Sequence, residues 1–146
     1  MTGCSQPTIT DAAFFHLKGV RILNMVFCNQ STITDAAFSH LKGIHTLDMS
    51  YCNQRTITDL AFSHLSGMKR LNMSACTQPT ITVAAFEHLK GVRLASIQGC
   101  SLSVLEGALG AGLITKEDVD MLDKTFSPPM THFFCRSSFS STRLLG

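Results

Sequence analysis

Cysteine recurs at positions 4, 28, 52, 76 and 100, and histidine at 16, 40, 64 and 88, each at an interval of 24 residues. Thiolate and imidazole are common metal ligands and can also act as nucleophile or base. Chemistry of that kind needs the side chains to converge on one point. A fixed interval places them in a line, one per structural unit, and a line of imidazoles does not close around an ion. Successive cysteines in such a line face the same way rather than each other, near the upper limit for bridging. A ladder of buried thiols is therefore expected, with no disulfide and no metal site. Cys135 alone lies off the interval. No H-E-x-x-H pair and no Ser/His/Asp constellation is present. Gly107, Gly110 and Gly112 are not followed by the Gly-Lys-Ser/Thr of a phosphate-binding loop. The pattern predicts a non-enzymatic protein with no cofactor.

Almost everything around the cysteines repeats with them. The unit 41–64 carries apolar marks at Leu41, Ile44, Leu47, Met49 and Cys52, and the same marks stand at Leu17, Val20, Leu23, Met25 and Cys28. They recur at Leu65, Met68, Leu71, Met73 and Cys76, then at Leu89, Val92, Ala95, Ile97 and Cys100. The two-residue step from Leu47 to Met49 is that of a strand with one buried face. A different rhythm follows. Thr-Ile-Thr-Asp stands at 8–11, 32–35 and 56–59, and Thr-Ile-Thr-Val at 80–83. The second threonine of each copy suits a helix N-cap, and the aspartate suits the first helical turn. Phe14 with Leu17, and their copies, share one helical face. Gly19, Gly43, Gly67 and Gly91 then suit a left-handed helix stop. Gln6, Gln30, Gln54 and Gln78 form a further column, expected to hold the corner backbone through amide hydrogen bonds.

The pattern L-x-x-[LIVM]-x-x-L-x-M-x-x-C followed by I-T-D resembles a leucine-rich repeat, and the cysteine resembles its cysteine-containing subtype, best known from F-box substrate receptors of ubiquitin ligases. The resemblance covers residues 1–100. It implies an α/β solenoid, right-handed, with a short parallel β-sheet on one side and short helices on the other. It also implies a role in recognising other proteins. The unit here is about two residues shorter than the usual cysteine-containing repeat and carries its own C-x-Q-x-T-I-T insert.

Residues 101–126 read as a helical C-terminal cap, with a capping box at Thr115 to Asp118 and Val119 and Leu122 on its buried side. Residues 127–146, with Pro128, Pro129 and a serine-rich run, read as an irregular tail. A net charge of +2, with 15% charged residues, argues against a nucleic-acid footprint. No apolar run approaches 18 residues, so no membrane partner is expected. Reduced thiols and no leader-like segment predict a cytoplasmic or nuclear setting. An unpaired parallel edge at Met1 to Cys4 is an expected site of homo-association.

The exposed strand positions are the ones that differ between copies: Ile22, Thr46, Arg70, Leu94; Asn24, Asp48, Asn72, Ser96; and Val26, Ser50, Ser74, Gln98. Arg21, His45, Lys69 and Arg93 flank them on one side, and Phe27, Tyr51, Ala75 and Gly99 on the other. Positions released from packing are where a binding surface can be written. Arg21, Asn24, Phe27, His45, Asp48, Tyr51, Lys69, Arg70, Asn72 and Arg93 are accordingly the candidate binding residues. The partner would be another protein, since aromatics and arginine supply most interface anchors. The alternative is a structural repeat scaffold with no dedicated ligand.

Overall fold

A computed structural model describes residues 2, 3 and 6–119, with the backbone only at 94 and 95. Each 24-residue unit folds as a three- or four-residue strand followed by a short helix. The strands are β1 (Ile22–Asn24), β2 (Thr46–Asp48), β3 (Arg70–Asn72) and β4 (Arg93–Ser96). They form one parallel sheet in chain order. The helices are α1 (Asp11–Phe14), α2 (Asp35–Phe38) and α3 (Asp59–Ser63); a 3-10 helix, Val83–Leu89, takes this place in the fourth unit. The chain is thus an α/β fold of parallel strands alternating with short helices. The core lies between sheet and helices. Leu47 and Met49 enter it from β2 and the residue after it, Phe38 and Leu41 from the helical side, and Cys52 from the corner, all essentially without solvent contact. Burying side chains of this size is worth roughly 1.5–3 kcal/mol each, which is what holds such short elements in place.

The Thr-Ile-Thr-Asp motif does more than cap. Asp35 Oδ1 accepts the backbone N–H of Thr58 and its Oδ2 accepts the Thr58 hydroxyl, both at 2.7 Å. With its proton committed to the acid, the same hydroxyl accepts from Leu60 N–H and caps α3 at 3.2 Å. Asp11 holds Thr34 in this way, and Asp59 holds Thr82. Thr10 has no described aspartate one unit back, and its side chain makes no cap bond. The first threonine of each motif also reaches back one unit: Thr32, Thr56 and Thr80 donate to the carbonyls of Ile9, Ile33 and Ile57.

Val83 occupies the aspartate position in the fourth unit, and no Thr-Ile-Thr follows Cys100 for an acid to hold. A different element comes next. Helix α4 (Leu102–Gly110) packs on the 3-10 helix, and it can do so because of Gly107. A Cβ there would run into the Phe86 ring and come within 2.9 Å of Val83 Cα. A further helical turn at 116–119 starts with the capping box expected from the sequence: Thr115 N–H donates to Asp118 Oδ2 at 2.8 Å, and Asp118 N–H to the Thr115 hydroxyl at 3.2 Å. These bonds hold the Asp118 carboxyl below its ordinary range, the backbone one first. Leu122, the rest of 120–126 and the tail 127–146 lie outside the described residues, as do Cys135, Met1 and Cys4.

Two expectations are corrected. Gln30, Gln54 and Gln78 are buried, at 8, 5 and 2% exposure, yet neither amide atom of any of them has a hydrogen-bond partner. The corner groups they were expected to hold are already taken. Thr32 and Thr56 bind the isoleucine carbonyls, and Asn29 and Asn53 accept from the N–H groups of Asn53 and Thr77. The fourth strand also departs from the uniform register. Arg93 pairs with Arg70, Leu94 with Leu71 and Ser96 with Asn72, so Ala95 is an extra residue in a bulge. Only this unit has Leu-Ala where the others have a variable residue followed by leucine, and the one-residue shift restores leucine opposite leucine in the ladder.

Candidate binding face

The glycines at 19, 43, 67 and 91 take φ near +80°, as a left-handed helix stop requires. A second set of left-handed residues was not foreseen. At the C-terminal end of each strand, Cys28 N–H closes on the Met25 carbonyl, Cys52 N–H on Met49 and Cys76 N–H on Met73, at 3.0, 3.1 and 3.1 Å. The third residue of each turn has positive φ: Phe27 at 59°, Tyr51 at 58° and Ala75 at 56°, followed in the same column by Gly99 at 73°. This is the pattern of a type II turn, whose third position favours glycine. A non-glycine residue there costs about 1–2 kcal/mol. Only the fourth unit spends a glycine on it.

The two large residues at these positions are not core. Phe27 is 50% exposed and Tyr51 45%, and their rings stack at 4.4 Å between centroids, 19° from parallel. An exposed stack of this kind contributes about 0.5–1.5 kcal/mol beyond area burial, which does not outweigh the strain of two left-handed aromatics. Stability alone gives no reason for rings here. Backbone strain carried by exposed side chains is a pointer to function.

The middle column is committed to the fold. Asn24, Asp48 and Asn72 each accept, through Oδ1, from the N–H two residues on, at Val26, Ser50 and Ser74, and so close the strand end. Asp48 also accepts the Ser50 hydroxyl at 2.6 Å and the Asn72 amide at 3.1 Å, so its carboxylate is well satisfied. At the opposite margin the Arg21 guanidinium donates to His45 Nε2 at 2.7 Å. Lys69, Arg70 and Arg93 are exposed, and no carboxylate among the described residues pairs with them. Of the ten candidate residues, the structure therefore separates two groups with free chemistry: the ring pair Phe27 and Tyr51, and the basic group Lys69, Arg70 and Arg93. No protein-family model matches the chain, and no curated protein matches it in sequence. Function must be read from this geometry.

The remaining columns hold no site. His40 and His64 are half-buried and His16 and His88 exposed on the helical side, and His40 meets the Phe15 ring edge-on at 5.8 Å. No group of three or more His, Cys, Asp or Glu among the described residues is placed to hold a metal. Cys28, Cys52, Cys76 and Cys100 are free thiols. Three of them donate back to the carbonyl 27 residues earlier: Cys52 to Met25, Cys76 to Met49 and Cys100 to Met73, at 3.0, 3.1 and 2.8 Å. Burial pushes the Cys52 thiol from 9.0 up to about 12 and Cys100 up to about 11, and raises Cys76 as well. Such thiols are inert as nucleophiles. Among the described residues no helix is long and apolar enough to cross a membrane.

The sequence reading missed Ala75 and Gly99. Both were visible as small residues in an aromatic column, but nothing in the spacing showed that the column sits at positive φ.

Proposed function

We propose that this chain is a leucine-rich-repeat solenoid of the cysteine-containing kind, and that its exposed sheet face is a protein-protein interaction module of a larger adaptor. It is not an enzyme, needs no metal or cofactor, and works in the cytoplasm or nucleus. The observation that carries the reading is the pair of exposed aromatics, Phe27 and Tyr51, held at strained positive φ on the same face as three unpaired cations. Four parallel strands at one per 24 residues and the unit-to-unit threonine clamps support the solenoid. Free thiols support a reducing compartment.

The test is site-specific photo-crosslinking in cells from position 46, in the centre of the face, and from position 87, on the helical side. Crosslinks to a defined protein from position 46, absent from 87 and lost with the Tyr51→Ala/Arg70→Ala double variant, are expected. Equal crosslinking from both positions would leave a scaffold without a ligand.

A second reading is favoured at one end. Ile9, Leu17 and Val20 of the first unit stay partly exposed, whereas their copies Ile33, Leu41 and Ile44 are buried. Thr2 and Gly3 lie along the edge of β1, with Gly3 N–H on the Val26 carbonyl at 2.6 Å. This end is the surface for homo-association. Sedimentation velocity across a hundredfold concentration range should show a rising mass, suppressed by Val20→Lys; a constant monomer mass removes this reading.

A further inference from the structure

The aromatic column is incomplete, and the gap has the size of one more ring. Phe27 covers one side of Tyr51 at stacking distance. The column continues on the other side with Ala75 and then Gly99, and a Cβ built on Gly99 would lie 3.7 Å from Ala75 Cα and Cβ. Adjacent strands stand roughly 4.8 Å apart, close to the spacing of stacked rings. Tyr51 therefore presents its second ring face above a ledge made of one methyl group and one glycine. The same two units that lack a ring carry the unpaired cations: Lys69 and Arg70 at the start of the third strand, Arg93 at the start of the fourth. Between cations and ledge lie only the polar groups of Asn72, Ser74 and Ser96, which bond to one another. The single carboxylate on the face, Asp48, is already satisfied.

We infer that the third and fourth units bind an extended acidic segment of a partner protein, whose aromatic side chain completes the stack on Tyr51 over Ala75 and Gly99 while its carboxylates meet Lys69, Arg70 and Arg93. This rests on the proposed interaction face and names the chemistry of its partner. From Arg70 to Ala75 is five residues, about 16 Å of strand-like rise. The segment therefore places its acids about five residues from its aromatic. That length also decides against a nucleotide. A base and its own phosphate lie far closer together than the two subsites, and three cations make a poor footprint for a strand of phosphates.

The probes are fluorescently labelled peptides with one tryptophan and three glutamates, separated by four or by one Ser/Thr residues, and a labelled single-stranded oligonucleotide, measured by anisotropy on the full chain. The four-residue spacing should bind, and the one-residue spacing about tenfold more weakly. Tyr51→Ala and Arg70→Glu should each weaken binding about tenfold or more. The deciding variant is Ala75→Phe. Its backbone already has the φ at which Phe27 and Tyr51 carry rings, so the variant extends the stack, folds, and fills the notch with the chain's own side chain. It should abolish peptide binding while retaining the parental circular dichroism and melting transition. Peptide binding that survives Ala75→Phe, or that ignores the spacing, overturns the inference, as does tighter binding of the oligonucleotide. If crosslinking to a partner from position 46 persists in Ala75→Phe but is lost in Arg70→Glu, the face stands and the notch falls. If neither variant changes it, both fall.

Discussion

Gln54 is the residue whose behaviour departs furthest from its type. Its amide is buried with neither end satisfied, and a buried polar group without a partner costs about 1–3 kcal/mol. Replacing it by an apolar side chain of the same length removes that penalty. Gln54→Met should raise the urea midpoint, by about 1 kcal/mol or more in stability at unchanged slope; a loss of stability would show that the amide has a partner after all. The thiols give a second prediction at this scale. Burial raises the folded Cys52 and Cys100 values to about 12 and about 11 from 9.0, so the folded state holds these protons more tightly than the unfolded one. Their contribution is intact below pH 9 and is lost as pH rises towards the folded values. Urea midpoints at pH 7.5 and 10.5 should therefore fall with pH, and Cys52→Ala should fall less steeply. Alkylation by iodoacetamide at pH 8 should reach these cysteines only after unfolding.

Among the elements, the helices are too short to be stable by themselves, and the aspartate clamp is what fixes each one on its predecessor. Asp35→Ala removes two hydrogen bonds to a charged acceptor and leaves Thr58 N–H unpaired. The expected loss is about 2–4 kcal/mol by denaturation, with strong coupling to Thr58→Ala in a double-mutant cycle. Val83→Asp places the same acid where no threonine answers it and should change stability by no more than about 0.5 kcal/mol. The sequence showed these elements well because every copy repeats the same apolar marks: Leu23, Leu47 and Leu71 fall in register on the buried side of the sheet, and Phe14, Phe38, Phe62 and Phe86 are all buried. It showed the clamp only by half. A helix cap is a local device that spacing reveals, whereas the bond from an acid to the threonine 23 residues later depends on how units stack. The bulge at Ala95 was hidden for the same reason, since it is the ladder, not the 24-residue interval, that sets which residue opposes Leu71. Of the candidate site, the aromatic and basic columns were legible as variation among copies. The positive φ under the rings was not, because Phe and Tyr are the wrong residues to announce it.

At the scale of the whole molecule the two ends differ. The last described unit is closed by α4, seated against Val83 and Phe86 through Gly107. Gly107→Ala forces the helix away from the ring, and such overpacking costs about 1–3 kcal/mol. The expected signature is local. Hydrogen exchange should quicken in α4 and in 83–96 while 33–65 keeps its protection; uniform quickening would mean that the units unfold as one.

The clamp also has a direction. Acid lies upstream and threonine downstream, and each pair joins only adjoining copies. A gene that loses or gains one internal stretch of 72 bases, beginning anywhere in the frame, leaves every surviving aspartate opposite a threonine. Slippage of the coding sequence thus lengthens or shortens the array without a mismatched joint, whereas a copy bearing valine in place of aspartate can serve only as the last of the line.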